Sequence, residues 1–371
     1  MTRLAQEKGA VNLAQGFPDF DGPEVILEAA VRAIREGNNQ YARSMGDGLL
    51  VEAIADRIFK NYSLRYDPFS EVAVFAGATE GMASTFLGLM NQGDEVILFE
   101  PYYESYPAFA ALAGAVPRFC TLRFPDFQVD FDELEGCFTD RTRLLLLNTP
   151  HNPTGKVFTR EELEGIAELC MRHNIMVVTD EVYEHLVYDG TCHVPIATVP
   201  GMRERTMTIS SMGKTFSLTG WRVGWMTGPE KLVASVQTAH QFVSFAAATP
   251  LQTALAIALG ELSDEYYGSL RKEYTARRKL LLDALTESGF HPAVPMGAYF
   301  ILADFRQLWE GDDLSFVIHL IDRCRVAAIP PSVFYGKCPE EGKRLIRFVF
   351  CKKNETLARA AQLLKCLKKW R

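Results

Sequence analysis

Short apolar runs alternate with amphipathic stretches from about residue 70 to residue 230, and this alternation limits the possible fold more than any other feature of the chain. The pattern is typical of βαβ units, whose strands are covered by helices on both faces and therefore read as continuous apolar runs. The predicted strands are EVAVFA (71–76), EVILFE (95–100), RLLLLNTP (143–150), IMVVTDEVY (175–183) and RTMTISS (205–211). We expect an α/β fold with a mostly parallel central sheet flanked by helices.

The stretches between these runs carry helix signals, and the C-terminal part of the chain changes in style. Thr159 begins a capping box with Glu162, which predicts the start of an amphipathic helix. Further on, a long helical pattern precedes two strand patterns, PMGAYFILADF and RLIRFVF, which are separated by the helical pattern DLSFVIHLIDRC. We predict a large domain over residues 22–263 and a smaller α+β domain built from residues 1–21 and 264–371.

Charge and composition argue against several kinds of partner. The formal net charge of -7 argues against nucleic acid and anionic membranes, because proteins that bind them carry a basic face. The longest apolar stretch, FVSFAAATPLQTALAIALG, is interrupted by Pro250 and Gln252, so we expect a buried helix and no membrane span. The eight cysteines have neither a CxxC pair nor dense spacing, so we expect reduced thiols in a cytoplasmic protein.

Lys214, in the stretch SSMGKTFSLTGWRVGW, has two interpretations. A P-loop would need a glycine where Thr208 stands, and Gly220 and Gly224 leave little room for the helix that carries a P-loop lysine. The alternative is a lysine that bonds to the aldehyde of pyridoxal phosphate, with Arg222 as the cation that lowers the pKa of its amine. Because only half of the P-loop pattern is present, we favour the second interpretation.

Other polar residues follow the predicted strands, where ligands bind in open α/β sheets. Arg222, the Ser211 hydroxyl and the N–H groups of the segment GATE (77–80) are suited to hold a phosphate. Asp180 is suited to keep a pyridine nitrogen protonated, which makes the ring an electron sink. Three more side chains are suited to contact the ring, through its oxygen or by stacking: Asn152, Tyr183 and Tyr103. Each residue has an ordinary structural explanation when taken alone, but their placement on successive strand ends indicates one site.

A metal cluster is a third interpretation. Acidic and imidazole side chains occur close together in the sequence at Asp180, Glu181, Glu184, His185 and His193. Their spacing matches neither HExxH nor another ligand pattern, and adjacent acidic residues in a loop are usually solvated. We therefore expect no metal.

Nine motifs occur along the chain in a recognisable order. They are GFPDF (16–20), NQYARSMG (39–46), GATE, EPYY, NTPHNPTGKVF, TDEVYEHLVYDG, SSMGKTFSLTGWRVGW, GAYF and RLIRFVF. In this order they resemble the class I, fold-type I aminotransferases, and most of all the kynurenine, glutamine and methionine aminotransferase-like branch. The resemblance covers nearly the whole chain. It implies transfer of an amino group from an L-amino acid to a 2-oxo acid by a ping-pong cycle; a cysteine-conjugate carbon–sulfur β-lyase is the alternative.

The resemblance also implies a role for each residue of the site. Lys214 would bond covalently to pyridoxal phosphate, and Asp180 would contact its pyridine nitrogen. Arg347 would bind the substrate α-carboxylate near Gly16, and Tyr41 would reach the phosphate held by the other subunit of a homodimer. The other matches are substrate and ring contacts, the stacking ring and the phosphate cup: Asn152, Tyr183, Tyr103, Ala78, Thr79, Ser211 and Arg222.

One departure from the family pattern concerns the substrate. Where kynurenine-type members place an aromatic ring and an imidazole, this chain has Ala247 and Ala248. These small residues imply a roomier and less polar pocket. We expect an amino donor with an apolar, aromatic or sulfur-containing side chain.

Overall fold

A computed structural model describes residues 2–370 of the protein, with the side chains of residues 3–367. The strands of these residues, in chain order, are β1 (Val11–Asn12), β2 (Val72–Phe75), β3 (Glu95–Glu100), β4 (Val116–Thr121), β5 (Thr142–Asn148), β6 (Met176–Asp180), β7 (Thr206–Ser211), β8 (Gly224–Thr227), β9 (His291–Pro292), β10 (Phe300–Asp304), β11 (Val326–Ala327) and β12 (Leu345–Val349).

The α-helices of the same residues are α1 (Thr2–Glu7), α2 (Glu24–Arg35), α3 (Gly48–Tyr62), α4 (Ala78–Leu89), α5 (Ser105–Leu112), α6 (Phe131–Glu135), α7 (Arg160–Arg172), α8 (Met212–Thr215), α9 (Glu230–Val243), α10 (Thr249–Glu261), α11 (Asp264–Glu287), α12 (Asp313–His319), α13 (Pro339–Gly342) and α14 (Asn354–Leu364). A π-helical turn, Leu320–Cys324, continues α12, and short 3-10 turns lie at Ile196–Thr198, Arg203–Arg205, Pro331–Phe334 and Lys365–Trp370. Between residues 2 and 370 no helix is long and apolar enough to cross a bilayer.

Seven strands form the central sheet in the order β2-β8-β7-β6-β5-β3-β4. Only β8 runs antiparallel to its neighbours, so the prediction of a mostly parallel sheet is confirmed. All five runs predicted as strands form strands of this sheet. β4 and β8 were not predicted. β4 lies at the edge, where Pro117 and partly exposed side chains are tolerated, so its sequence lacks the apolar run of a central strand.

Both faces of the central sheet are covered, which explains the continuous apolar runs. Val96 and Leu98 of β3 belong to one buried cluster, which includes residues of α4 and α9. Ile97 and Phe99 of the same strand belong to another, which includes residues of α7. α7 begins at the predicted capping box, with Thr159 and Glu162 bonded to each other's backbone N–H groups.

A second layer combines both ends of the chain. β9, β10 and β12 form an antiparallel sheet, and β1 pairs in parallel with β11. Leu13 and Ala14 share a buried cluster with Phe348 of β12 and Leu357 of α14. The C-terminal part therefore has the α+β character expected from its sequence, whereas the domain limits at 21/22 and 263/264 stay a prediction.

Cys324 and Cys366 form a disulfide, which corrects the expectation of eight reduced thiols. Their Cα atoms are 6.2 Å apart, within the range of disulfides in proteins. The two residues are 42 positions apart in the sequence, and they meet where the 3-10 turn Lys365–Trp370 contacts the π-helical turn Leu320–Cys324. The other cysteines are free: Cys120, Cys137, Cys170, Cys192, Cys338 and Cys351.

Candidate active site

A cavity of about 610 Å³ opens at the carboxyl ends of the parallel strands. The last residues of β5, β6 and β7, which are Asn148, Asp180 and Ser211, all line it. Every residue that the sequence assigned to the site lines the same cavity except Tyr41: Gly16, Ala78, Thr79, Tyr103, Asn152, Asp180, Tyr183, Ser211, Lys214, Arg222 and Arg347. The cavity thus combines residues at or after the ends of β1, β2, β3, β5, β6 and β7 with Arg347 of β12.

Lys214 follows β7 within the single helical turn α8. The sequence left little room for a helix here, and the helix has only the four residues Met212–Thr215, which end before Gly220 and Gly224. The turn is too short to be the long helix that follows a P-loop. It places the lysine on the floor of the cavity at the end of a central strand.

The Lys214 amine lies between two aromatic rings. Its Nζ is 5.8 Å from the ring centroid of Tyr183 and 5.7 Å from that of Tyr299, and no hydrogen bond joins it to another residue among those described. Burial lowers the pKa of the amine; the Asp180 carboxylate opposes this shift and Arg222 adds to it. Arg222, the cation predicted from the sequence, therefore lowers the pKa of Lys214 less than burial does. Both effects favour a neutral, nucleophilic amine.

Asp180 is a buried carboxylate with two hydrogen-bond donors. Its Oδ2 accepts from the Tyr106 hydroxyl at 2.8 Å, and its Oδ1 accepts from the Val182 N–H at 3.3 Å. Burial raises the pKa of the carboxyl, although the Tyr106 hydroxyl opposes the change. A protonated ring nitrogen in the cavity would compensate for the lost hydration and favour the ionised form of Asp180.

The start of α4 forms a concave site for an anion. The helix begins after Gly77 without a side-chain cap, so its first N–H groups, at Ala78 and Thr79, are left to face the cavity. A Cβ on Gly77 would lie 2.5 Å from Arg222 Nη2, and the same Nη2 donates to Thr79 Oγ1 at 3.1 Å. With the Ser211 hydroxyl, these groups form the type of site that binds phosphate.

Arg347, on β12, enters the cavity from the second layer. Its Nη1 donates to Asn152 Oδ1 and its Nη2 to the Ala14 carbonyl, each at 3.2 Å, while Nε has no partner. The guanidinium carbon lies 4.8 Å from the Phe300 ring centroid and 4.9 Å from that of Phe334. Burial lowers the pKa of this arginine. Two aromatic walls thus orient a buried planar fork, a geometry that suits a carboxylate.

Aromatic residues connect this arginine to the lysine. Tyr183 packs edge-on against Tyr299, with ring centroids 5.1 Å apart, and against Phe300 at 5.7 Å. The Tyr299 hydroxyl donates to the Gly16 carbonyl at 2.5 Å, which holds the N-terminal loop at the cavity. Tyr103 is half-buried at the opposite wall, near α5.

Sequence reasoning missed Asn148 and Tyr106. Asn148 Nδ2 donates to the Asp180 carbonyl at 2.9 Å, and Asn148 Oδ1 accepts from the Asn152 N–H at 2.7 Å. The signal for Asn148 was a single polar residue that ends the apolar run RLLLLN. Tyr106 lies three residues after Tyr103, a spacing that puts both rings on one side of a helical turn.

Three residues expected at the pocket lie outside it. The Tyr41 side chain is 86% exposed and packs edge-on against Phe245. Ala247 is buried in a cluster with residues of α2 and α3, and Ala248 precedes α10 on the surface. The alanines therefore do not enlarge this cavity within one chain, because they lie at the start of α10 and away from the strand ends.

The residues considered as a metal cluster form hydrogen bonds with separate partners and do not converge on one point. Glu181 contacts His193 at 2.7 Å, and Glu184 accepts from the Tyr62 hydroxyl at 2.6 Å and from Ser210 at 2.8 Å. Asp180 lines the cavity, whereas Glu181, Glu184 and His193 do not. Among the described residues no three His, Cys, Asp or Glu side chains are grouped so that they could hold a metal ion.

The sequence matches known aminotransferases over almost its full length. The profile of the family "Aminotransferase class I and II" matches residues 8–364. The probable N-succinyldiaminopimelate aminotransferase of Mycobacterium tuberculosis is 45% identical, covering 99% of this chain and 94% of that protein. Its solved structure aligns over 99% of this chain and 96% of that one, with a TM-score of 0.96.

Two other relatives represent the branch suggested by the motifs. Kynurenine–oxoglutarate transaminase 3 of Mus musculus is 42% identical over 98% of this chain and 86% of that protein. The methionine aminotransferase of Escherichia coli is 39% identical over 99% and 94%. The chain therefore belongs to the class I and II aminotransferases, in the kynurenine and methionine aminotransferase-like branch, and is an enzyme of the pyridoxal-phosphate-dependent kind.

Proposed function

We propose that this aminotransferase takes the amino group from an L-amino acid with an apolar, aromatic or sulfur-containing side chain and passes it to a 2-oxo acid. The observation that carries this proposal is the distribution of charge in the cavity. Its lining contains three basic side chains, Lys214, Arg222 and Arg347, and each has a distinct task in the proposal.

The residues present fit pyridoxal phosphate. The uncapped start of α4, the Arg222 guanidinium and the Ser211 and Thr79 hydroxyls supply donors for a phosphate, in a concavity that a Cβ on Gly77 would fill. Asp180 is an anion suited to a pyridine N–H. Lys214, with its amine free of hydrogen bonds, would hold the cofactor covalently. Asn152 and Tyr183 would contact the ring oxygen, and Tyr103 would stack on the ring.

When bound, pyridoxal phosphate supplies an electron sink for the charge that develops at the substrate Cα. Asp180 would keep a proton on the pyridine nitrogen, which strengthens that sink. The neutral Lys214 Nζ would accept the proton from the substrate Cα and later release it to a different atom. The lowered pKa of the amine favours this role as a general base. Arg347 would hold the α-carboxylate and so orient the Cα–H bond.

The rest of the wall selects the substrate side chain. The lining also includes the apolar residues Phe17, Ile329, Pro330 and Val333 and the uncharged Gln15. The charged group at this end is the exposed carboxylate of Glu104. A second carboxylate on the donor would find no further basic side chain to pair with and would be repelled by Glu104. An apolar side chain would instead be desolvated favourably.

A panel of amino donors tests this proposal. Methionine, phenylalanine, leucine, kynurenine, aspartate, glutamate and N-succinyldiaminopimelate would each be supplied with several 2-oxo acids, and kcat/KM measured. We expect the apolar, aromatic and sulfur-containing donors to lead. Higher kcat/KM for aspartate, glutamate or N-succinyldiaminopimelate, the substrate in the name of the 45% identical relative, would contradict the charge argument.

The Lys214→Ala variant tests the assignment of the lysine. We expect it to lose turnover and the visible absorbance of the bound cofactor. Normal turnover by the variant would refute the role. Release of pyruvate and ammonia from a cysteine conjugate, without any 2-oxo acid, would indicate the β-lyase activity that the sequence left open.

We also propose a homodimer with shared active sites. Tyr41 and its neighbours form an exposed aromatic and apolar group, with Phe242 at 83%, Val243 at 51% and Phe245 at 40% exposure. Such a patch is typical of a protein interface. Mixing Lys214→Ala with Tyr41→Ala subunits should restore part of the activity, because one site of each mixed dimer would have both residues. No recovery after subunit exchange would contradict the shared site. The cytoplasmic location stays a prediction.

A further inference from the structure

Glu100, the last residue of β3, is fully buried and binds the backbone of a loop from the second layer. Its Oε2 accepts from the N–H groups of Gly336 at 2.7 Å and Lys337 at 2.9 Å. Its Oε1 accepts from the Cys338 N–H at 3.0 Å and from the Thr121 hydroxyl at 2.9 Å. Three successive N–H groups thus converge on one carboxylate, and bonds of this charge-assisted kind are roughly twice as strong as neutral ones.

The bound loop ends the segment 329–338, here called the wall segment, which forms one side of the active-site cavity. Ile329 exchanges both backbone hydrogen bonds with Arg347, at 3.0 Å each. The Phe334 ring lies 4.9 Å from the guanidinium carbon of Arg347. The Phe334 carbonyl accepts from the Tyr102 N–H at 2.9 Å, which adds a second link between the wall segment and the end of β3.

We propose that Glu100 is a positioning residue for the substrate α-carboxylate: it fixes the wall segment to the central sheet and so holds Phe334 against the Arg347 guanidinium. This inference rests on the proposed role of Arg347. Glu100 does not line the cavity and does not contact the cofactor residues, so its effect on the reaction must pass through the wall segment. Val333, which does line the cavity, would lose its fixed position by the same route.

The charge of Glu100 is essential to this role. In Glu100→Gln one oxygen is replaced by an NH₂ group, which must face backbone N–H donors and cannot accept from them. The side-chain volume is unchanged, so the packing around β3 is retained. We expect the wall segment to loosen, the fork of Arg347 to lose its fixed orientation, and carboxylate binding to weaken.

The experiment compares steady-state kinetics of holoenzyme variants with methionine as the donor. Glu100→Gln should raise KM about tenfold, or about 1.4 kcal/mol, with kcat within about twofold and unchanged absorbance of the bound cofactor. Lys337→Met is the matched control: it removes an exposed ion pair of the same loop, to Glu133 at 2.6 Å, and should leave KM unchanged.

A second variant reaches the same contact from the loop side. A Cβ on Gly336 would lie 2.6 Å from the Phe119 ring, which stacks on Tyr102, so in Gly336→Ala the loop or this ring must shift while Glu100 stays intact. Gly336→Ala should raise KM as Glu100→Gln does. If Glu100→Gln yields no folded holoenzyme, the KM of Gly336→Ala tests the positioning role of the loop contact.

Two outcomes would overturn the proposal: a wild-type KM in the folded variant, or equal falls in kcat and cofactor absorbance, which would indicate general damage. Arg347→Ala separates this inference from the proposed function. If Arg347→Ala leaves KM unchanged, the carboxylate role of Arg347 is wrong. If Arg347→Ala raises KM strongly and neither Glu100→Gln nor Gly336→Ala does, only the positioning role of Glu100 fails.

Discussion

The substitution Gly77→Ala tests whether the concavity before α4 holds the cofactor phosphate. Gly77 has φ 84° and ψ 161°, a region that residues with a Cβ avoid, so alanine there costs about 1–3 kcal/mol of stability. The new methyl group would also lie 2.5 Å from Arg222 Nη2. Because the guanidinium is the far end of a flexible side chain, it is the group that moves.

The displacement of Arg222 gives the magnitude of the expected effect. A hydrogen bond to a charged group contributes about 1.5–3 kcal/mol, so its loss would weaken cofactor binding about tenfold to hundredfold. The assay is titration of the cofactor-free protein with pyridoxal phosphate, followed by absorbance, together with urea unfolding of the same samples.

Gly93→Ala is the matched control for this prediction. Gly93 has a similar φ of 87°, but a Cβ there would have no atom within 4 Å. We expect the control to lose stability and to keep cofactor affinity. Wild-type affinity in Gly77→Ala would refute the reasoning, as would an equal loss of affinity in both variants, which would trace the effect to backbone strain alone.

Three further predictions concern stability. Lys214→Met should stabilise the cofactor-free protein at neutral pH. Burial holds the pKa of Lys214 below 10.5 in the folded protein, so the unfolded chain binds more protons and the lysine is destabilising. Thermal melts should show that the gain in stability shrinks as the pH rises towards 10.5. Tyr106→Phe should lower the free energy of unfolding, measured by urea titration, by about 1.5–3 kcal/mol, because Asp180 loses its hydroxyl donor at 2.8 Å. Tyr102→Phe, at a residue that does not line the cavity, should lower it less. The Cys324–Cys366 disulfide would first be located by peptide mapping without reductant. Its reduction should lower the free energy of unfolding by about 4 kcal/mol, the loop-closure entropy expected for a 42-residue separation. An unchanged urea midpoint would contradict this.

The sequence predicted the features that depend on local pattern. The run LLLL (144–147) is apolar throughout because both faces of β5 are covered, and α7 begins after Thr159 because the Thr159 hydroxyl caps its first turn. The candidate site was also predictable, since parallel strands end at the same edge of the sheet and so bring Asp180 and Lys214 together.

The features that were missed depend on contacts between distant segments. β4 pairs as an edge strand, and nothing in VPRFCT distinguishes it from a loop. Glu100 ends β3 like many acidic residues, and the loop that it binds lies more than 230 positions away, at Gly336 and beyond. The Tyr106 hydroxyl reaches Asp180 only because α5 packs on the sheet. Local sequence patterns do not contain such information.

The hydrogen bonds of Arg347 have a consequence for how the enzyme discriminates among ligands. In the structure each Nη donates one of its two N–H groups, Nη1 to Asn152 Oδ1 and Nη2 to the Ala14 carbonyl, while Nε has no partner, so N–H groups remain for a visiting carboxylate. Both bonds are long, at 3.2 Å, and both acceptors are neutral. On the proposed role of Arg347, an incoming carboxylate pairs with these remaining donors through charge-assisted bonds, whereas an amine without a carboxylate leaves them unpaired. Such an amine therefore leaves an incompletely paired cation buried behind it, and this penalty discriminates against ligands that lack a carboxylate.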